Sequence, residues 1–287
     1  FWVIEIGSLW LIQRGLMRQS NEIALLYVRA TRIWAGMMMS IFLLWGTIVA
    51  ATIATSPMPL YGLDTAHERY LLAAACILIA ALAEFIRYRP AEWRYYSLAL
   101  AVEIALLIGL RLQGFGPVKL GIVTLALAFA VQIAADVWTI RRPPYRYSWH
   151  AIPLAYAGIG WLLGHWVFQA NSGFFTLALG GLLLGIGRRQ TGFERFSYAG
   201  LAATSMGTYE LLVYQLLQAS GGYPGDGLTL LAGLSLAIAA LYQARHRWAA
   251  PYLKLSAQAI SFAGHGHWAI GSLLCLIATA APIAIAP

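Results

Sequence analysis

IWAGMMMSIFLLWGTIVAATIAT, residues 33–55, carries no charge in 23 consecutive positions. A helix needs ~20 mostly apolar residues to cross ~30 Å of hydrocarbon. This stretch meets that requirement alone, and its apolar residues run on without the period-two alternation of a barrel strand. It predicts a transmembrane helix, and the rest of the chain repeats the pattern.

Eight further runs come close in length and polarity: Tyr70–Tyr88, Tyr95–Leu112, Leu120–Ile140, Ser148–Gln169, Ser172–Gly187, Phe196–Ala219, Leu228–Gln243 and His267–Ala286. Residues 1–13 fit the inner half of a tenth span. Because the chain opens on Phe1 and stops at APIAIAP, it reads as an excerpt of a longer frame. No charged n-region with a small-residue cleavage site precedes residue 30, so no signal peptide is expected. The expected fold is all-α: a polytopic helical bundle of about nine full spans plus one truncated span, as a single transmembrane domain over residues 1–287.

Composition agrees. Of 287 residues, 60% are apolar and 10% charged, against about 45–50% and 25% in soluble domains. That excludes a soluble globular protein, a disordered chain and a disulfide scaffold. Cys76 and Cys275 fall in separate apolar runs and form no disulfide framework.

The net charge of +8 has a topological explanation. One set of connections holds 16 of the 19 Lys+Arg: Arg14, Arg18, Arg29 and Arg32; Arg87, Arg89 and Arg94; Arg141, Arg142 and Arg146; Arg188, Arg189 and Arg195; Arg245, Arg247 and Lys254. The other set holds only Arg69, Arg111 and Lys119. The sets alternate along the chain, as successive crossings require, and the basic side is read as cytoplasmic. The expected location is a bacterial inner (plasma) membrane or a thylakoid-type membrane. The partners are the bilayer itself and anionic lipid headgroups at the Arg clusters. No nucleic-acid partner is needed to account for the charge.

The loops suggest a repeat. Arg94-Tyr-Tyr-Ser, Arg146-Tyr-Ser-Trp and Arg195-Phe-Ser-Tyr each open a helix, at intervals of 52 and 49 residues. A short Gly-, Gln- or Pro-rich outer connection follows each. The unit is an outward-pointing hairpin of about fifty residues, giving hairpins 33–88, 94–140, 146–187 and 195–243. The aromatic after each Arg suits an interfacial belt. Ser20–Val28 and Tyr252–Phe262 read either as surface helices or as extensions of their neighbours.

Two carboxylates mark candidate function. Glu84 and Asp136 lie near helix ends beside arginines. Glu103 lies nine residues past Arg94, roughly 13 Å along a helix at ~1.5 Å per residue. Glu210 lies eleven residues before Gly221, roughly 16 Å on the same rise. A charge at that depth costs ~2.5–3.5 kcal/mol or more. Each Glu is therefore protonated, paired or facing a polar cavity, with Gln132, Tyr209, Tyr214 and Gln215 as possible neighbours. The same property serves proton transport or structural glue.

Other motifs carry less. In His265-Gly-His267 the imidazoles face nearly opposite ways on a helix, with no third ligand at spacing, so neither metal nor cofactor is expected. His165 lies near the outer surface. Gly221–Gly227 lacks the Lys-Ser/Thr of a phosphate loop and reads as a turn. Gly160 and Gly164, then Gly181 and Gly185, form two small-xxx-small pairs that predict close packing of the fifth and sixth spans.

The stretch Thr208-Tyr-Glu-Leu-Leu-Val-Tyr-Gln-Leu-Leu-Gln-Ala-Ser-Gly221, with Asp226-Gly-Leu-Thr-Leu and His265-Gly-His-Trp-Ala-Ile-Gly-Ser272, resembles segments of large cyanobacterial polytopic membrane proteins of uncharacterised activity. The resemblance covers about the last third of the chain and implies a hairpin array with no transferable site. Three functional classes follow: an assembly protein built of hairpins, a secondary transporter or permease using Glu103 and Glu210, and a membrane enzyme. The enzyme class needs a polar cluster at one interface, and none beyond the arginines is visible. The expectation is a non-enzymatic structural array, with transport as the alternative.

Overall fold

The computed structural model describes residues 2–16, 22–55, 64–87, 92–141, 147–189, 192–219 and 224–285. Arg89, Arg142, Arg146, the Ser20-Asn21 cap, Gly221-Gly-Tyr223 and the last two residues lie outside the described residues. Among those described, the chain forms helices and no strand. In order they are α1 (Trp2–Leu16), α2 (Glu22–Thr55), α3 (Asp64–Arg87), α4 (Trp93–Leu112), α5 (Pro117–Arg141), α6 (Ser148–Gly164), α7 (Ser172–Arg189), α8 (Arg195–Gln218), α9 (Pro224–Leu253) and α10 (Ala257–Ile285).

Among the described residues, six helices are long and apolar enough to cross a membrane: α2, α3, α4, α5, α9 and α10. The others fall short for local reasons. Helix α6 has 17 residues, α7 ends in Arg188-Arg189, and α8 carries Arg195 and Glu210 among several polar residues. Several helices overrun the expected spans. Helix α2 begins at Glu22, so Ile23–Val28 extends the first span and is not a separate surface helix. Helix α6 stops at Gly164, five residues earlier than expected. The Tyr252–Phe262 segment is divided by a turn.

That turn is built from capping chemistry. Lys254 has φ +52°, and the Leu255 N–H reaches back to the Ala250 carbonyl at 3.0 Å. A six-to-one bond around a left-handed residue closes the carbonyl end of α9. Ala250, Leu255 and Ile260 form a buried apolar cluster over it. Ser256 then accepts the Ala259 N–H at 3.0 Å, capping the first turn of α10.

The chain divides into two compact units, 1–120 with 134–152, and 121–133 with 153–287. In the first, α2 packs on α4 and α3 on α4. Gly46 of α2 is seated against Ile77 and Ile104. Side chains close exposed helix ends here: Arg111 donates to the Ile53 carbonyl at 3.1 Å, and Arg94 to the Phe85 carbonyl at 3.1 Å. The Glu92 carboxylate accepts the Ser148 N–H at 2.9 Å. Glu84 and Glu103 are 1% and 2% exposed.

In the second unit, glycine decides which helices touch. On α7, Gly173, Gly180 and Gly187 recur every seven residues, and on α8 so do Gly200 and Gly207. A Cβ on Gly173 would lie 2.6 Å from the Gly207 carbonyl. One on Gly187 would strike Ser197. Helix α10 repeats the device on α9, with Gly264 against Tyr242 and Gln243, and Gly271 against Leu236 and Ala232. Gly121 of α5 meets Gly160 of α6 backbone to backbone. A seven-residue repeat keeps small residues on one helix face and lets backbones approach.

The closest pairs thus include α3–α4, α7–α8 and α9–α10, each joined across a basic connection, whereas α8 touches α9 and α2 touches α3 at fewer places. The repeat read from the loops pairs helices across the outer connections instead. Loop length does not separate the two phasings; the positions of the small residues do.

Candidate functional site

Helix α8 brings Glu210 to the end of α6 and the first turns of α7. Trp161 and His165 are four residues apart, so they share a face, and their rings lie 4.7 Å apart. The His165 Nδ1 is 2.9 Å from the Trp161 carbonyl. A carbonyl only accepts, so Nδ1 carries a proton. The other ring nitrogen, Nε2, is 3.2 Å from Glu210 Oε2. Thr176 Oγ1 donates to the same oxygen at 2.6 Å and accepts from Trp161 Nε1 at 2.9 Å.

The same His165 Nε2 lies 3.2 Å from Thr176 Oγ1, so His165, Thr176 and Glu210 form one polar cluster in mutual contact. The His165 and Glu210 side chains are 17% and 12% exposed. Glu210 lies eight residues before the end of α8, roughly 12 Å along its axis.

The preceding residue serves a different cluster. Successive helical residues are turned by ~100°, so Tyr209 leaves α8 toward α9 and α10. Its hydroxyl lies 2.6 Å from Ser235 Oγ and 2.8 Å from His267 Nδ1. The two rings stack at 5.7 Å, and Tyr242 meets the same imidazole edge-on. The Tyr242 hydroxyl pairs with Ser205 at 2.6 Å. His265, two residues from His267, lies away from this cluster beside Gln243 and Trp268, as helical geometry requires.

Of the two carboxylates singled out in the sequence, Glu103 belongs to the first unit and Glu210 to the second. The expected neighbours Tyr209, Tyr214 and Gln215 are not the groups that hold Glu210; His165 and Thr176 are. The missed signal was the Trp161/His165 spacing at the end of a span whose turn leads straight into Thr176. Among the packing glycines, Gly160 meets Gly121 and Leu125, and Gly164 is covered by the Phe175 ring. Gly181 and Gly185 have open space where a Cβ would stand; the close contacts of α7 fall at Gly173, Gly180 and Gly187, facing α8. No group of three or more metal-ligating side chains occurs among the described residues.

Comparison with protein families, with curated proteins and with solved structures gives no match for this chain.

Proposed function

We propose that the protein is a multi-pass membrane array whose role is structural: packed helical hairpins offering a rigid, lipid-facing scaffold for assembly. The observation that carries this reading is the seven-residue glycine register between α7 and α8, repeated between α10 and α9. Backbones in such close contact slide only at the cost of many contacts at once. In this proposal nine helices cross fully and α1 partly. The basic loops face the cytoplasm, with their arginines against anionic headgroups. The membrane is bacterial, plasma or thylakoid-type, in keeping with the resemblance of residues 208–272.

A second reading, proton-coupled transport, is favoured by one observation, the largely buried 3.2 Å contact between His165 and Glu210. Ionisable groups inside a span mark proton and ion pathways by default.

One experiment separates the two. The protein is reconstituted in liposomes enclosing a pH dye, and wild type is compared with Glu103→Gln and Glu210→Gln. Equal proton leak with lowered thermal stability supports the scaffold. Proton movement that disappears with either carboxyl overturns it in favour of transport. Topology is read separately by cysteine labelling. Positions 60, 115, 171 and 223 are expected on one side, and 91, 144 and 191 on the other.

A further inference from the structure

Arg188, the second-last residue of α7, reaches across to the last turn of α9. Its Cζ lies 3.4 Å from the centre of the Tyr252 ring. At that height the guanidinium lies flat, since turning an N–H onto the ring would push its nitrogen well inside the roughly 3.5 Å of ordinary contact. The N–H groups therefore point sideways, past the ring. Among the described residues, none of them makes a hydrogen bond or an ion pair. The Glu194 carboxylate, on the loop that follows, is engaged by the Gly192 N–H at 3.0 and 3.1 Å. A planar cation fixed by stacking, with its edge donors open, suits an oxyanion taken by two parallel hydrogen bonds.

The setting narrows the class of oxyanion. Leu253 ends a segment long and apolar enough to span a bilayer, so Tyr252 stands at its boundary. Trp248 is one turn deeper on the same face, roughly 6 Å along the axis. Its ring stacks on Tyr252 at 5.9 Å with the planes 8° apart. It is 68% exposed, as an indole at the junction of headgroup and acyl chain would be.

We propose that Arg188, Tyr252 and Trp248 form a discrete site for one anionic phospholipid. The phosphate accepts from the Arg188 fork, and the glycerol and upper acyl chain lie along Trp248. A soluble oxyanion meets the fork and leaves the indole bare. An uncharged lipid meets the indole and leaves the fork bare. A choline headgroup adds a cation beside a helix end that already carries Arg188 and Arg189. The site rests on the headgroup reading given above for the level of these helix ends, and replaces diffuse attraction there by one saturable position.

The test is native mass spectrometry of the full chain in detergent, titrated with dioleoyl phosphatidylglycerol. One equivalent is expected to bind ahead of the rest. Arg188→Gln weakens it about tenfold or more, the loss of a charge-assisted hydrogen bond. Lys119→Gln removes the same charge from a cation that also faces an aromatic ring, Phe115 at 6.0 Å, and leaves the binding unchanged. Arg188→Lys keeps the charge without the fork and weakens binding nearly as much as Gln, so a poorly folded Gln variant does not decide the outcome. Equal weakening by both Gln variants overturns the site in favour of diffuse attraction, as does an Arg188→Lys protein that binds like wild type. Dioleoyl phosphatidylcholine bound as tightly overturns the preference for an anionic lipid. Displacement of the lipid by glycerol 3-phosphate overturns the site in favour of a soluble anion. The titration in detergent does not depend on sidedness, so a failed topology in the cysteine labelling is a separate result.

Discussion

Gly200 of α8 stands directly against Gly180 of α7: a Cβ on Gly200 would lie 2.8 Å from the Gly180 carbonyl oxygen, and one on Gly180 would lie 3.0 Å from the Gly200 oxygen. Neither backbone oxygen can yield without moving its helix. This reciprocity makes the pair a sensitive reporter of the whole α7–α8 register.

Enlarging either partner is therefore expected to be costly. Gly180→Leu or Gly200→Leu should destabilise the protein by at least about 1–3 kcal/mol, the range for overpacking a filled interior. Gly181→Leu, one residue along and open on its face, should stay within about 0.5 kcal/mol of wild type. Thermal midpoints in one detergent check the contrast. Equal losses at positions 180 and 181 would contradict the packing.

The His165–Glu210 pair makes a different demand. Glu210→Gln keeps an acceptor for Thr176, whereas Glu210→Leu removes the 2.6 Å acceptor and leaves the Thr176 hydroxyl only its 3.2 Å contact with His165 Nε2. The expected loss is about 1–3 kcal/mol for Leu and less for Gln. A double-mutant cycle with His165→Phe should give a coupling of at least about 0.5 kcal/mol. Additivity would mean that the two side chains do not act as a unit.

Lys254 offers the opposite sign. It holds φ +52° at the end of α9, a conformation in which a Cβ costs roughly 1–2 kcal/mol. Lys254→Gly should stabilise the protein by about 1 kcal/mol while keeping the Leu255–Ala250 bond. Thermal melts of the two proteins side by side settle it, and a drop in midpoint would refute the cap.

A pH dependence follows from the loop before α8. Backbone N–H groups of Glu194 itself and of Gly192 hold the Glu194 carboxyl below the usual carboxylate range, with a smaller pull from Lys254. Gly192 supplies its bonds at 3.0 and 3.1 Å from a backbone with φ +89°. A depressed folded-state pKa stabilises fully above the unfolded value, and the gain is lost as pH falls through the folded one. The midpoint of wild type minus that of Glu194→Gln should shrink across that acid window. A difference that stays constant with pH would exclude this linkage.

Much of the architecture was legible because hydrocarbon imposes a local rule. Every backbone polar group must be satisfied within its own segment, so a 23-residue uncharged run such as residues 33–55 has one solution whatever its neighbours do. The opposite facing of His265 and His267 was legible for the same reason, being set by helical pitch alone. The site was less so. Glu210 stood out by depth, but its partners come from α6 and α7, and distance along the chain says nothing about which helices meet.

By itself, the order of residues determined that this chain is helical, where its long apolar helices lie and which connections carry the arginines, since length, hydropathy and charge act segment by segment. Only the tertiary structure decided that Gly173, Gly180 and Gly187, and not Gly181 and Gly185, meet a neighbouring backbone, and that Glu210 faces His165 while Tyr209 faces His267. Those choices depend on the rotation of each helix about its own axis. When lipid is as apolar as the interior, hydropathy does not set that rotation; the fit of small residues and the pairing of a few polar groups do.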